Sequence, residues 1–210
     1  MGTSNAAGAS QPRPVDFYFE FSSPYGYIAT QVAEATEQRI GRPMTWRPML
    51  LGPVFKITGQ QPLVDVPMKG EYSKRDFVRS ARLHKIAFRY PDRFPIGTVA
   101  AVRAFYWVND RDSAQARKLA KALYSAYFAD GTDISAPATV VEIARRIGVD
   151  GDALAKALED PTVKDRAKRE VDAAIAAGVF GSPYFVVDGE PFWGVDRIPM
   201  MEDWVRTGGW

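Results

Sequence analysis

The segment from Phe19 to Tyr27, FEFSSPYGY, has the pattern of a buried strand that runs into a helix, with a hydroxyl at the turn. Apolar and polar or amphipathic residues alternate from Val15 to Phe21, which predicts a strand with Val15, Phe17, Phe19 and Phe21 on one face. Ser23 has the chemistry of a helix N-cap, and Pro24 suits the first helical position, where no N–H is needed. The chain must therefore place one hydroxyl at a helix N-terminus beside the end of a strand.

A second strand follows the helix. Gly41 and Pro43 predict the end of the helix, and Met44 to Leu50 has the composition of a strand. A strand, a helix of about sixteen residues and another strand form a βαβ unit, so the two strands should be parallel.

The middle of the chain changes character. Residues 51–70 are rich in Gly, Pro and Gln and predict a loop with short turns. From about 71 to 178 the pattern is helical, with Ala-rich segments at 98–108, 113–129, 137–147 and 162–178.

Strands return near the end. Tyr184 to Val187 and Pro191 to Trp193 flank Asp188-Gly189, a strong hairpin signal, and a short helix is predicted over 197–206. Without the helical middle, the order β-α-β-α-β-β-α indicates an α/β protein with a thioredoxin-like fold and a large inserted helical domain. We expect residues 15–50 and 162–210 to form the thioredoxin-like domain, 51–161 the insertion, and 1–14 a disordered tail.

Composition excludes several kinds of chemistry. The 210 residues include no cysteine and one histidine, and the net charge is +2. Disulfides, cysteine nucleophiles and thiolate metal sites are excluded, and no metal site is expected. The absence of cysteine fits the cytoplasm. No apolar run approaches the ~20 residues of a membrane span, and the charge gives no reason to expect nucleic-acid binding. With His84 alone and no Gly-x-Ser-x-Gly motif, a serine hydrolase triad is not expected.

The Ser23-Pro24-Tyr25-Gly26 tetrapeptide stands where a thioredoxin-type oxidoreductase would have Cys-x-x-Cys. The scaffold is retained without its redox chemistry. A helix N-terminus with one hydroxyl is suited to hold the thiolate of another molecule. Ser22 is the alternative serine, and we interpret it as a polar residue at the strand end.

Three sequence segments together resemble the 2-hydroxychromene-2-carboxylate isomerase family, which belongs with the kappa-class glutathione transferases and, more distantly, the DsbA-type oxidoreductases. They are DFYFEFSSP from Asp16, GVFGSP from Gly178 and FWGVDR from Phe192. The resemblance extends from about Val15 to Arg206.

This resemblance implies glutathione as cofactor, a small bicyclic aromatic carboxylate as substrate and a homodimer. The implied reaction interconverts 2-hydroxychromene-2-carboxylate and trans-o-hydroxybenzylidenepyruvate in the degradation of aromatic hydrocarbons such as naphthalene. The family serine corresponds to Ser23. The implied glutathione-binding residues are Ser23, Ser182, Pro183, Trp193, Gly194, Val195 and Asp196. The implied substrate-binding residues are Lys56, Phe94, Gln61 and Pro62, the last two in a segment where the family often has an asparagine.

Chemical roles follow for these positions, each with an alternative. A cis bond between Ser182 and Pro183 would let the Ser182 backbone pair with the cysteinyl residue of glutathione. Asp196 would hold the γ-glutamyl end or cap the last helix, and Lys56 would pair with the substrate carboxylate or be an exposed loop residue. Two alternative functions remain open: a kappa-like glutathione transferase or peroxidase, and a non-catalytic thioredoxin-fold binding module.

Overall fold

The computed structural model describes residues 13–210, which form four strands and nine α-helices. The strands are β1 (Val15–Phe19), β2 (Met44–Pro48), β3 (Tyr184–Val187) and β4 (Glu190–Trp193). The helices are α1 (Pro24–Ile40), α2 (Leu51–Thr58), α3 (Lys69–Leu83), α4 (Val99–Asn109), α5 (Ser113–Phe128), α6 (Pro137–Arg146), α7 (Gly151–Glu159), α8 (Pro161–Ala176) and α9 (Ile198–Thr207). The predicted tail of residues 1–14 lies, apart from its last two residues, outside the described residues.

The four strands form one mixed sheet in the order β2-β1-β3-β4. β1 and β2 are parallel, as the βαβ prediction requires, while β3 is antiparallel to both β1 and β4. The predicted hairpin is present, and both of its turn residues, Asp188 and Gly189, have positive φ angles of 54° and 98°. An Asp-Gly pair supplies this conformation at low cost, which explains the tight connection.

Alternate residues of β1 point to opposite faces of the sheet. Each face is covered by buried apolar side chains. Val15, Phe17 and Phe19 are fully buried on one face, as predicted together with Phe21. Phe19 packs there against Phe105 of α4 at a ring distance of 5.9 Å. Burial of one such phenylalanine contributes about 1.5–3 kcal/mol. Tyr18 points to the opposite face, where it packs with residues of α2 and of the segment after α8.

The helices α2 to α7 lie between β2 and β3 in the chain, as the predicted insertion requires. The four predicted helical segments correspond to α4, α5, α6 and α8 within a few residues. Residues 84–98 are not helical, although they lie within the predicted helical region. No helix formed by residues 13–210 has the length and apolar character needed to cross a membrane. The division into two domains stays a prediction.

The prediction of a loop over residues 51–70 is wrong at its start, where the structure has α2. Pro53 lies in the first turn, where its missing N–H costs no hydrogen bond. Gly59 ends the helix in the left-handed conformation, at φ 69°, and Val54 is buried against the sheet. Gly and Pro therefore mark the two ends of a short helix instead of a loop. Lys56 lies in the last turn of this helix, not in a loop.

Candidate functional site

Ser23 is the N-cap of α1, as the sequence predicts. Its backbone is extended, with φ −95° and ψ 117°, and its Oγ accepts a hydrogen bond from the Gly26 N–H at 3.0 Å. Pro24 follows in the first helical position. The residue is buried, so this hydroxyl does not lie on an open surface.

Ser182 is the direct partner of Ser23. The Ser23 hydroxyl donates to the Ser182 carbonyl at 3.0 Å, although 159 positions separate the two residues in the chain. The Ser182–Pro183 peptide bond is cis, as predicted. The Ser182 Oγ accepts a hydrogen bond from the Glu20 N–H at 2.9 Å. Within residues 13–210 the Ser182 N–H has no hydrogen-bond partner, so a buried donor remains available beside Ser23.

Gly26 occupies the position of the second cysteine in a Cys-x-x-Cys motif. A Cβ atom on this residue would lie 2.6 Å from the Tyr124 hydroxyl oxygen and 2.7 Å from the Ser182 Oγ. Both distances are far shorter than real contacts of Cβ atoms. Hydroxyl groups therefore fill the space that a second thiol would need, which agrees with the loss of dithiol chemistry.

Glu20 lies directly beneath this turn and was not recognised as a site residue from the sequence. Its carboxylate accepts a hydrogen bond from the Ser22 N–H at 3.0 Å and another from the Thr98 hydroxyl. Burial raises the pKa of its carboxyl group to about 7, against the lowering effect of these two hydrogen bonds. An acid between two phenylalanines, Phe19 and Phe21, was the available signal. In the sequence, however, Glu20 fits equally well as a polar position of an alternating strand.

The hydrogen bonds of Ser22 hold the turn in place. Its Oγ accepts a hydrogen bond from the Ile96 N–H at 3.1 Å, and its own N–H is held by Glu20. These contacts fix the turn against the segment before α4. They agree with the interpretation of Ser22 as a polar residue at the strand end.

The hairpin brings the second predicted group of residues to the same place. The Gly194 N–H donates to the Pro183 carbonyl at 3.0 Å. Gly194 has a φ of 116°, and a Cβ atom there would lie 2.4 Å from the Asp196 carboxylate. Trp193 is half-exposed, and its indole ring lies over Gly181. A Cβ atom on Gly181 would be 2.2 Å from the indole nitrogen of Trp193. Val195 is buried in the core.

Asp196 does not cap the last helix, which corrects one of its two expected roles. It lies in a one-turn 3-10 helix (Val195–Arg197), and Arg197 is the N-cap of α9. The Asp196 carboxylate is largely exposed and pairs with Arg197 at 3.2 Å. Its oxygen atoms remain accessible to a ligand because this pair lies at the surface.

Tyr25 connects the N-terminal turn of α1 to a carboxylate of α3. Its hydroxyl donates to Asp76 of α3, a residue that the sequence did not point to. Burial raises the pKa of the Tyr25 hydroxyl, and the hydrogen bond to Asp76 and the charges of Asp76 and Asp196 raise it further. The hydroxyl therefore stays protonated and neutral. Both carboxylates also pair with an arginine, Asp76 with Arg79 and Asp196 with Arg197, and their oxygen atoms can accept further hydrogen bonds from an ammonium group.

The predicted substrate residues are less closely associated with Ser23. Phe94 packs on Phe77, whose ring contacts Tyr25 at 5.0 Å, so Phe94 is joined to the site through one aromatic residue. Lys56 is exposed and makes no ion pair within residues 13–210. Gln61 is exposed and donates to the Asp65 carbonyl at 3.1 Å. Pro62 precedes a one-turn 3-10 helix (Leu63–Asp65). None of these four residues contacts Ser23 through a hydrogen bond in the described part of the chain.

Two other kinds of site find no support in this geometry. His84 follows the last residue of α3, and burial lowers the pKa of its imidazole. It makes no side-chain hydrogen bond to Ser23, whose hydroxyl is bound to Ser182. In the described residues, no group of three or more His, Cys, Asp or Glu side chains is placed to hold a metal ion.

The sequence matches the family model described as "DSBA-like thioredoxin domain" over residues 14–206. It is 28% identical over 199 residues to the 2-hydroxychromene-2-carboxylate isomerase of Sphingobium xenophagum, covering 92% of this chain and 98% of that protein. It is 25% identical over 202 residues to glutathione S-transferase kappa 1 of Homo sapiens, covering 90% of this chain and 89% of that protein.

A solved structure of a 2-hydroxychromene-2-carboxylate isomerase has a similar fold, with a TM-score of 0.83 and 27% sequence identity. That match covers 93% of this chain and 95% of the other. The comparisons confirm the thioredoxin-like fold with its helical insertion, and they confirm the resemblance inferred from the three sequence segments.

Proposed function

The chain belongs to the DSBA-like thioredoxin domain family, and we propose that it is a glutathione-dependent isomerase that interconverts 2-hydroxychromene-2-carboxylate and trans-o-hydroxybenzylidenepyruvate. The observation that carries this proposal is the Ser23 hydroxyl, which caps α1 and contacts the Ser182 carbonyl. The similarity to isomerases of this name and to kappa glutathione transferases supports it.

The residues present fit glutathione on several structural grounds. The Ser182 N–H is a buried donor without a partner in residues 13–210, and Ser182 is the residue expected to face the cysteinyl backbone. Gly194 has no Cβ atom, and this allows the Asp196 carboxylate to lie close to its backbone. The carboxylates of Asp76 and Asp196 near Tyr25 would hold the ammonium group of the γ-glutamyl residue. Trp193 and Val195 would border the ligand and support the hairpin.

Ser23 would lower the pKa of a bound thiol. A free thiol has a pKa of about 8.5, and a lowering of about two units requires ~2.7 kcal/mol in favour of the thiolate. A hydrogen bond to a charged group contributes ~1.5–3 kcal/mol, and a helix N-terminus ~0.3–2 kcal/mol. One hydroxyl and the first turn of α1 together are therefore sufficient.

In this structure the Ser23 hydroxyl donates its hydrogen bond to the Ser182 carbonyl. A hydroxyl rotates readily, and a bond to an anion is stronger than a bond to a neutral carbonyl. We therefore expect Ser23 to redirect its proton to a thiolate. The Ser182 carbonyl would then accept the cysteinyl N–H of the ligand in place of the serine hydroxyl.

Bound glutathione would supply a nucleophilic thiolate that is regenerated at the end of the reaction. Ser23 and the α1 N-terminus would keep that sulfur ionised, and Ser182 with Pro183 would orient it. Lys56 would bind the carboxylate of the aromatic substrate, with Phe94, Gln61 and Pro62 on the same side. The proposal includes a homodimer in the cytoplasm and the two-domain division at residues 50 and 162.

The test is incubation of the full chain with 2-hydroxychromene-2-carboxylate, with and without glutathione, while the ultraviolet spectrum of the substrate is followed. The proposal expects conversion only with glutathione, and no glutathione consumed. S-methylglutathione, which carries no ionisable thiol, is the matched control and should be inactive. A stoichiometric product that retains the tripeptide would instead indicate a transferase. Failure to bind glutathione by calorimetry would leave the binding-module alternative.

A further inference from the structure

The Glu20 carboxyl group is a buried acid for which the proposed function has no role. Its residue is 7% exposed, and within residues 13–210 no Lys, Arg or His side chain pairs with it. Its two hydrogen-bond donors, the Ser22 N–H and the Thr98 hydroxyl, are neutral. An ionised carboxylate in such a place is costly, because desolvation is not repaid by a counter-charge.

The backbone of the same residue contacts both serines of the candidate site. The Glu20 N–H donates to the Ser182 Oγ, and the Glu20 carbonyl accepts the Ser23 N–H at 2.8 Å. That carbonyl also accepts the Tyr124 hydroxyl at 2.8 Å. Glu20 is therefore hydrogen-bonded directly to the two residues that would hold the thiol.

The titratable groups that face Glu20 belong to α5. They are the hydroxyls of Tyr124 and Tyr127, whose pKa values burial raises, with a further rise from the Glu20 charge. Both are neutral over the range in which Glu20 titrates. The segment before α4 contributes Thr98, and the segment before β3 contributes Ser182; neither carries a charge. Among these groups, only the Glu20 carboxyl changes its charge near neutral pH.

We propose that Glu20 is a positioning residue whose charge opposes a thiolate at Ser23, so that the site holds the thiolate best when Glu20 is neutral. This inference rests on the proposed function. Two like charges about 10 Å apart, at an effective dielectric constant of about 20, change each other's pKa by about one unit. The effect is reciprocal: a bound thiolate raises the pKa of Glu20, and an ionised Glu20 weakens binding of the thiolate.

Glu20→Gln separates charge from geometry. The amide can still accept from the Ser22 N–H through its oxygen and can donate to the Thr98 hydroxyl through its nitrogen. Calorimetry on the full chain would measure the dissociation constants of glutathione and S-methylglutathione from pH 5.5 to pH 9, for the wild type and the variant. Glu37→Gln is the matched control, because Glu37 pairs with Arg117 at 2.9 Å, away from Ser23.

The proposal expects equal glutathione affinities at pH 5.5. At pH 9 it expects the variant to bind glutathione about tenfold more tightly than the wild type. S-methylglutathione should bind both proteins equally throughout, and Glu37→Gln should behave as the wild type. A purely structural role would change both ligands alike or neither, and either result would overturn the proposal. If the wild type binds neither ligand, the proposed function fails, and this role fails with it.

Thr98 provides a second test if Glu20→Gln does not fold. Thr98→Val removes a donor that lowers the pKa of Glu20, so the loss of glutathione affinity should begin at a higher pH than in the wild type. Thr98→Ser keeps the hydroxyl and should restore the wild-type profile. Identical profiles for all three proteins would contradict the proposal.

Discussion

The two ends of the candidate site are built in different ways. The sealed turn, residues 20–26, is almost entirely buried, and its polar side chains are hydrogen-bonded to Ser182 and to the segment before α4. The exposed rim, residues 51–72, leaves large apolar side chains uncovered, including Ile57 and Met68, which are 68% and 93% exposed. The turn assigned to the cofactor is therefore formed in advance, whereas Lys56 and Gln61 at the end assigned to the substrate are exposed side chains.

This contrast predicts different sensitivities to substitution. Changes in the sealed turn should alter stability, because a close-packed interior has few empty spaces and few alternative partners. Changes in the exposed rim should alter substrate binding with little effect on the fold.

The largest expected effect concerns the pH dependence of stability. Burial raises the pKa of Glu20 in the folded protein to about 7 from its ordinary value of 4.5, so the folded state holds its proton more tightly than the unfolded state. The stabilisation is therefore complete below pH 4.5 and is lost as the pH rises to about 7. Relative to Glu20→Gln, the wild type should lose about 2–3 kcal/mol between pH 5 and pH 8, or roughly 5–10 °C in melting temperature.

A rim residue provides the control for that measurement. Glu71 is an exposed acid whose pKa is lowered by its hydrogen bond to Lys74. Glu71→Gln should not change the slope of melting temperature against pH in this range. Equal slopes for the wild type and Glu20→Gln would contradict the assignment of a buried, unpaired acid.

A pair of glycine substitutions tests the packing of the two regions. Gly26→Ala should destabilise the protein by about 1–3 kcal/mol, because its Cβ meets the Tyr124 hydroxyl and the Ser182 Oγ. Gly52→Ala in α2 should stabilise it by up to about 1 kcal/mol, since its Cβ meets nothing and alanine favours a helix. Urea unfolding of both variants would measure these changes. Two changes of the same sign would show that the regions do not differ as described.

The smallest expected effect is on substrate binding at the rim. Lys56→Met should weaken binding of the carboxylate substrate by about 1 kcal/mol, or roughly fivefold, since an exposed charge pair contributes little. KM should rise while kcat and glutathione affinity stay unchanged. Lys118→Met, an exposed lysine of α5, is the control and should have no effect. An equal loss of glutathione affinity would place Lys56 at the cofactor end.

The sequence could predict the sealed turn because its signals are local. Ser23, Pro24 and Gly41 mark the ends of α1 by capping chemistry, and Asp188-Gly189 marks the hairpin by its backbone preference. The same rules gave a wrong prediction at residues 51–58, where a loop was expected and Gly and Pro instead mark the ends of a helix. A buried contact of Val54 with the sheet stabilises that helix, and such a contact is not visible in a local pattern.

The site residues that sequence reasoning missed depend on distant contacts. In the sequence, Asp76 is an ordinary helix acid and Glu20 an ordinary polar residue near a strand end. Only the fold brings Asp76 to Tyr25 and encloses the Glu20 carboxyl group with Thr98 and Ser22. Burial and the absence of a counter-charge give Glu20 its raised pKa, and both arise only from tertiary packing.

The central claim is that Ser23 stabilises a glutathione thiolate. The direct measurement is the ultraviolet thiolate absorbance of bound glutathione during a pH titration of the wild type, Ser23→Ala and Ser22→Ala. We predict that the thiol pKa in the wild type is about two units below 8.5 and rises by about 1–2 units in Ser23→Ala, while Ser22→Ala matches the wild type. The isomerase rate of Ser23→Ala should fall by roughly 10- to 150-fold near neutral pH and recover at high pH. Equal midpoints for the wild type and Ser23→Ala, or a shift in Ser22→Ala alone, would contradict the claim.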